Sequence, residues 1–250
     1  MVASVQRSAI LCSITLAAVL CATAVDAACG DHGPVAPLIL GRLPIAADAS
    51  DLAKARLASA YLEFAYSDSS PPGFYLGPNS ADLFDIGSKI LASITGFRAT
   101  TFINCMSHAL VISIDHINVL EDPGDAIGGI LRLFTRGNSI LALRFTELVM
   151  TNYPDYYITV VGHSAGGGIA SYAAGLYGLP SITYNSARTP AARTNDGAQQ
   201  LNVIVRGDWI ADPRNSPRAL SGLTLFVDAG SFRGSLHSRE ALEIGLRNVR

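Results

Sequence analysis

Residues 158–168, ITVVGHSAGGG, constrain the fold of this chain more than any other stretch. An apolar, β-branched run leads into Gly162-His163-Ser164-Ala165-Gly166, and a small-residue helix follows. A sharp strand-to-helix turn of this kind reverses the backbone within about one residue of the serine, so glycines are needed on both sides. The pattern therefore predicts a strand, a nucleophile elbow at Ser164 and a helix. The alternative is a plain strand-to-helix turn with a buried serine.

Strand-like and helix-like segments alternate along the rest of the chain. The strand-like runs are apolar through their length, which predicts a mainly parallel sheet covered by helices on both faces. We expect one α/β domain over residues 28–250. The predicted strands are residues 88–98, 109–114, 156–161, 181–184, 201–206 and 223–227. Helices are predicted from Asp48 or Ser50, at about residues 139–152, directly after the elbow and from Ser238 onward, with a loop at residues 67–80.

The amino terminus has the pattern of an export signal. One basic residue, an uncharged apolar stretch and a small-residue exit near Ala27 predict a signal peptide over residues 1–27. Its removal makes the protein secreted or periplasmic. Two alternatives stay open, namely an uncleaved membrane anchor and a lipoprotein attached at Cys29.

Cysteine use and charge narrow the class of protein further. Of the four cysteines, Cys29 and Cys105 remain after removal of the signal, either as a disulfide or as two free thiols. Neither has a second cysteine at metal-ligand spacing, so we expect no metal and no cofactor. The net charge of −2 gives no electrostatic basis for binding nucleic acid.

A serine nucleophile needs a base and an acid, which in this architecture follow it in the order acid, then histidine. His237 is the one histidine after Ser164. Asp208 is the predicted acid because it follows the apolar strand at residues 201–206, with Asp212 and Asp228 as alternatives. His163 adjoins the serine, but neighbours on a strained turn point apart.

Several motifs together resemble the class 3 lipases, the fungal-type triacylglycerol lipase family. Tyr153-Pro154-Asp155 and the elbow match the family's Tyr-Pro, strand and G-H-S-L-G-G in order. Residues 96–100, GFRAT, resemble its F-R-G-T, and residues 208–213, DWIADP, resemble its acid segment. The chain departs from the family where Ala165 replaces a leucine and Ala99 replaces a glycine.

The resemblance implies an α/β-hydrolase fold and assigns further roles. It makes Thr100 one donor of an oxyanion hole, through its N–H and also through its hydroxyl, and the backbone N–H of Ala165 is the other. It also implies a lid helix at residues 101–109, where the alternative is a short amphipathic helix packed on the core. Transient contact with a lipid surface is part of this expectation.

The sequence thus predicts a secreted serine hydrolase that cleaves carboxylic esters of the lipid type. A short-chain esterase or an acyltransferase uses the same residues. A non-catalytic binding protein that keeps the fold is the alternative from another class. The oligomeric state stays open.

Overall fold

The structure, a computed structural model, describes residues 49–66, 70–115, 128–187, 199–211 and 222–250. The predicted signal peptide, Cys29 and Asp212 lie outside these ranges. Within them, no helix combines the length and the apolar character needed to cross a membrane.

The described residues form six α-helices, one 3-10 turn and seven strands. Ser50 begins the first helix, since its hydroxyl accepts a hydrogen bond from the N–H of Ala53. In chain order the elements are α1 (Asp51–Leu62), a 3-10 turn (Glu63–Ala65), β1 (Tyr75–Asn79), α2 (Ser80–Leu83), α3 (Ile86–Thr95), β2 (Ala99–Asn104), β3 (Ala109–Ile114), α4 (Gly128–Asn152), β4 (Tyr157–His163), α5 (Ser164–Tyr177), β5 (Ser181–Tyr184), β6 (Gln200–Val205), β7 (Leu223–Val227) and α6 (Arg239–Asn248).

These strands form one seven-stranded sheet in the order β1-β2-β3-β4-β5-β6-β7. The five strands from β3 to β7 run parallel, whereas β1 and β2 are antiparallel to their neighbours. The carboxyl ends of β3 to β7 therefore share one edge, which we call the catalytic edge. In α/β sheets, functional residues gather at this edge.

Two apolar clusters pack on the two faces of the sheet. One contains α1, the 3-10 turn and α6 together with residues such as Val161 and Val203. The other contains α4 and α5 together with residues such as Ile112 and Val160. Because successive strand residues point to opposite faces, neighbours such as Val160 and Val161 divide between the clusters. The predicted α/β-hydrolase fold, a mainly parallel sheet with helices on both faces, is confirmed.

The strand predicted at residues 88–98 is wrong, because most of this segment is helix α3. Asp85 accepts a hydrogen bond from the N–H of Ser88 at the start of the helix, and Gly96 ends it with a left-handed φ of 70°. Its isoleucines recur every four residues, which is helical spacing. The loop predicted at residues 67–80 also contains β1, an edge strand that accommodates Pro78.

The helix predicted at residues 101–109, as a lid or as a packed amphipathic segment, is also wrong. These residues form the end of β2, a turn and the start of β3. Phe102 and Ile103 are both buried, and they lie in the apolar clusters on opposite faces of the sheet. This period of two residues is the period of a strand, and it leaves no free apolar face for a lid.

Candidate active site

The turn between β4 and α5 has the geometry that the glycine pattern predicts. Ser164 has a φ of 55°, which non-glycine residues seldom adopt. A Cβ at Gly162 would lie 2.6 Å from the carbonyl oxygen of Gly166, and a Cβ at Gly166 would lie 2.6 Å from that of Ile114. Both glycines are thus required because backbone passes directly over them. The elbow holds Ser164 at the catalytic edge.

Ser164, His237 and Asp208 form a continuous hydrogen-bonded line at this edge. The Ser164 Oγ lies 2.8 Å from Nε2 of His237, and Nδ1 of His237 lies 2.7 Å from Oδ2 of Asp208. The Nδ1–H donates to the carboxylate, so Nε2 is left as the acceptor that faces the serine hydroxyl. This is the arrangement that activates a serine nucleophile.

Asp208 is held on both of its carboxylate oxygens. Its Oδ1 accepts hydrogen bonds of 2.8 Å from the N–H groups of Ile210 and Ala211, which leaves Oδ2 for His237. The carboxylate is fully buried, and its three donors compensate for the loss of water. Asp228, a rival in the sequence, is exposed and accepts from the N–H of Gly230 in a turn.

Two aromatic rings lie beside this line of residues. The ring of His163 lies 4.7 Å from that of His237 on one side and 4.8 Å from that of Tyr66 on the other. The sequence argument that His163 and Ser164 point apart does not reveal this contact between His163 and His237. Burial raises the pKa of Tyr66 far above its ordinary value, so its phenol is neutral at any working pH.

Ala165 is placed to donate a hydrogen bond to an oxyanion. It is the second residue of α5, and the first four N–H groups of a helix have no partner within it. They also form the positive end of the helix dipole, next to the nucleophile.

Thr100 does not lie on a strand next to the one that carries Ser164. It is in β2, two strands from β4, and strands are spaced by about 4.8 Å. The N–H of Asp115 donates to the carbonyl of Arg98, and this type of antiparallel pair recurs at every second residue. The N–H of Thr100 is therefore used within the sheet, opposite Ser113. The prediction that this N–H donates to an oxyanion is therefore wrong, whereas a role for the Thr100 hydroxyl stays a prediction.

The predicted disulfide has one described partner. Cys105 is disulfide-bonded and lies in the turn between β2 and β3. Cys29 is outside the described residues, so its pairing with Cys105 stays a prediction. Among the residues that the structure describes, no three His, Cys, Asp or Glu side chains are grouped so as to hold a metal ion.

A serine elbow at the carboxyl edge of a mainly parallel sheet, with a histidine and an acid after it in the chain, is the arrangement of the α/β-hydrolase fold. Residues 95–179, which contain the elbow, match the family model described as Lipase (class 3). This match confirms the resemblance to class 3 lipases and the predicted class of enzyme, a carboxylic ester hydrolase.

Solved structures with a similar fold include three lipases. The Lip2 lipase of Yarrowia lipolytica is 15% identical, with 70% of this chain and 78% of that chain covered and a TM-score of 0.45. The Penicillium expansum triacylglycerol lipase is 12% identical, with 72% and 79% covered and a TM-score of 0.45. The lipase of Rhizopus microsporus var. chinensis is 15% identical, with 73% and 77% covered and the same TM-score of 0.45. No curated protein matches the chain.

Proposed function

We propose that the protein is a secreted serine hydrolase of lipid esters that works through an acyl-enzyme. The observation that carries this proposal is the line from Ser164 Oγ to His237 Nε2, and from His237 Nδ1 to Asp208, with distances of 2.8 and 2.7 Å. An ion pair of His and Asp alone is common in proteins. A serine on a strained elbow that completes it is typical of acyl transfer.

The geometry supports a two-step reaction. Ser164 Oγ attacks the ester carbonyl while His237 Nε2 takes its proton, and Asp208 stabilises the imidazolium that forms. The carbon–oxygen bond to the alcohol then breaks, and His237 returns the proton to the leaving alcohol. In the second step water gives a proton to His237 and attacks the acyl carbon. The bond from that carbon to Ser164 Oγ then breaks, His237 returns the proton to Oγ, and the acid is released.

The oxyanion of both steps needs donors that face the place where charge develops. We assign one of them to the N–H of Ala165 and, from the family resemblance, the other to the hydroxyl of Thr100. Loss of one donor of this kind typically costs about a hundredfold in turnover.

If Thr100 donates through its hydroxyl, Thr100→Val lowers kcat by about a hundredfold and changes KM little, because the lost bond exists only in the transition state. Thr100→Ser keeps the hydroxyl and serves as the matched control, with kcat within about threefold of wild type. Steady-state kinetics on a soluble ester measure both. Equal kcat values for Thr100→Val and wild type would remove Thr100 from the oxyanion hole.

A covalent probe tests the proposed function most directly. A fluorophosphonate reacts with a serine only when a neighbouring base activates it. We expect one adduct per chain, located on Ser164 by peptide mass spectrometry, and no adduct in protein unfolded with urea. An unlabelled folded protein would exclude the enzyme and leave the non-catalytic binding protein.

The choice of lipid esters is supported by an exposed apolar face on α3. Ile86, Ile90 and Ile94 are 78%, 57% and 65% exposed and share one face at four-residue spacing. The end of α3 leads into β2, and Arg98 there pairs with Asp115 just beyond β3. The apolar face therefore ends at the catalytic edge. A lipid surface is the partner that such a face fits beside an ester-cleaving serine.

Replacing the three α3 isoleucines with glutamine tests this surface. We expect at least about a tenfold loss of binding to phosphatidylcholine vesicles, which corresponds to only about 1.4 kcal/mol. We expect hydrolysis of a soluble short-chain ester to stay unchanged, because all three side chains are exposed rather than buried beside the catalytic residues. The control is Leu176→Gln, which replaces an exposed leucine at the end of α5 that is far from Ser164. Vesicle binding that survives the triple change, with a preference for soluble short chains, would favour the esterase.

Secretion is the part of the proposal that depends on the predicted signal peptide. The disulfide at Cys105 supports it, since such bonds persist in oxidising compartments and are rare in the cytosol.

An acyltransferase would form the same acyl-enzyme, and product analysis with an added alcohol separates it from a hydrolase.

A further inference from the structure

Two buried side chains hold the loop that carries His237. The amide Nδ2 of Asn185 donates a hydrogen bond of 3.0 Å to the carbonyl oxygen of Leu236. The ring Nε2 of His163 lies 2.9 Å from the carbonyl oxygen of His237, and because a carbonyl only accepts, this nitrogen is the donor. Two consecutive carbonyl groups of the loop thus accept hydrogen bonds from side chains at the ends of β4 and β5.

Asn185 is itself fixed to the strand that leads to the acid. It directly follows β5 and is fully buried, and its side-chain Oδ1 accepts a hydrogen bond of 2.9 Å from the N–H of Val205, the last residue of β6. Its own N–H donates to the carbonyl of Val203. Its φ of 43° lies in the left-handed region, where asparagine is among the few non-glycine residues that occur readily. Asn185 therefore links the His237 loop to the end of β6, three residues before Asp208.

His163 makes the corresponding link to the nucleophile. It is the last residue of β4 and directly precedes Ser164, and it is buried with its ring against Tyr66. Movement of the His237 carbonyl away from His163 would thus move the imidazole away from Ser164. Further backbone N–H groups of this part of the loop bond within it: those of His237 and Ser238 donate to the hydroxyl and the carbonyl of Ser235.

We propose that Asn185 and His163 are positioning residues that set the place of His237 between Ser164 and Asp208. Asn185 acts through one peptide carbonyl of the loop. His163 acts through the next carbonyl and through its ring, which lies 4.7 Å from the ring of His237. The proposal rests on the proposed function, in which His237 is the base. Displacements of about 1 Å cost around a hundredfold in rate, so loss of either hydrogen bond has a kinetic effect beyond its effect on stability.

The main test compares Asn185→Gly with Asn202→Gly. Glycine suits the left-handed backbone at residue 185, so the change removes the side chain without adding strain. Asn202 is equally buried and its amide donates to the carbonyl of Leu223, away from the loop. We expect Asn185→Gly to lower kcat on a soluble ester by about thirtyfold with KM within about threefold. Asn202→Gly lowers the melting temperature by a similar amount and keeps kcat within about threefold.

His163 is tested by its own pair of variants. His163→Leu removes the donor, whereas His163→Gln offers an amide N–H at a similar reach. We expect His163→Leu to lower kcat by at least about tenfold and His163→Gln to restore most of it. Since both residues act on one loop, the double variant Asn185→Gly with His163→Leu loses less than the product of the two single losses.

A spectroscopic readout separates this proposal from the proposed function. The His237 Nδ1 proton bonded to Asp208 gives a low-field NMR signal, which Asp208→Asn identifies by its loss. We expect Asn202→Gly to keep this signal and Asn185→Gly to broaden or lose it, whether or not the protein hydrolyses esters. A wild-type protein that cleaves no ester would end the proposed function but leave this readout in force. An Asn185→Gly variant with an intact signal and a kcat matching Asn202→Gly would overturn the positioning role.

Discussion

Ser164→Ala is expected to abolish ester hydrolysis, with a loss in kcat on the order of a millionfold. The hydroxyl removed is the one that His237 faces at 2.8 Å, and no acyl-enzyme can form without it. Residual turnover over water would come from the oxyanion donors and from substrate binding alone. Steady-state kinetics on a soluble ester, supported by loss of fluorophosphonate labelling, measure the effect.

Ser171→Ala is the matched control for this change, since Ser171 is a buried serine on the same helix. Its hydroxyl donates to the side chain of Gln200, so we expect some loss of stability and full activity. Hydrolysis that survives Ser164→Ala at a comparable rate would show that another group is the nucleophile.

The residues that the sequence could predict are those whose chemistry depends on local chain order. The elbow is a short-range pattern, and its two glycines are needed because backbone atoms lie too close for a Cβ. Chain order then restricted the base to His237, and Asp208 was found because it lies where a buried strand ends. The structure brings the three side chains together, with His237 between Ser164 and Asp208.

The residues that the sequence missed depend on contacts between distant segments. The sequence around Asn185 does not indicate a role for it, because the proposed role depends on a hydrogen bond to the carbonyl of Leu236, 51 residues later in the chain. Thr100 was assigned by a motif, but the position of β2 in the sheet decides its distance from Ser164. The residues of α3 are wrongly predicted as a strand, since isoleucine favours strands in general. The caps at Asp85 and Gly96 favour the helix instead.

Asp208→Asn is expected to lower kcat by about ten-thousandfold while leaving the fold intact. The amide keeps the volume and one oxygen, so Ile210 and Ala211 still have an acceptor for their N–H groups. The other position becomes an NH₂ group, which cannot accept the Nδ1–H of His237. The imidazole then rotates or takes the tautomer with a proton on Nε2, and it can no longer take the proton of Ser164. The imidazolium also loses the negative charge that stabilises it.

Asp228→Asn is the matched control, because that carboxylate is exposed and was a rival for the acid in the sequence. Its hydrogen bond from Gly230 survives in the amide, so we expect kcat within about threefold of wild type. The melting temperature of each variant, followed by circular dichroism, separates catalytic loss from unfolding. A folded Asp208→Asn protein with wild-type kcat would exclude Asp208 as the acid, and a steep loss in Asp228→Asn would transfer the role to Asp228. Asp208 is favoured over Asp228 because its buried carboxylate is oriented by two backbone N–H groups and already bonds His237.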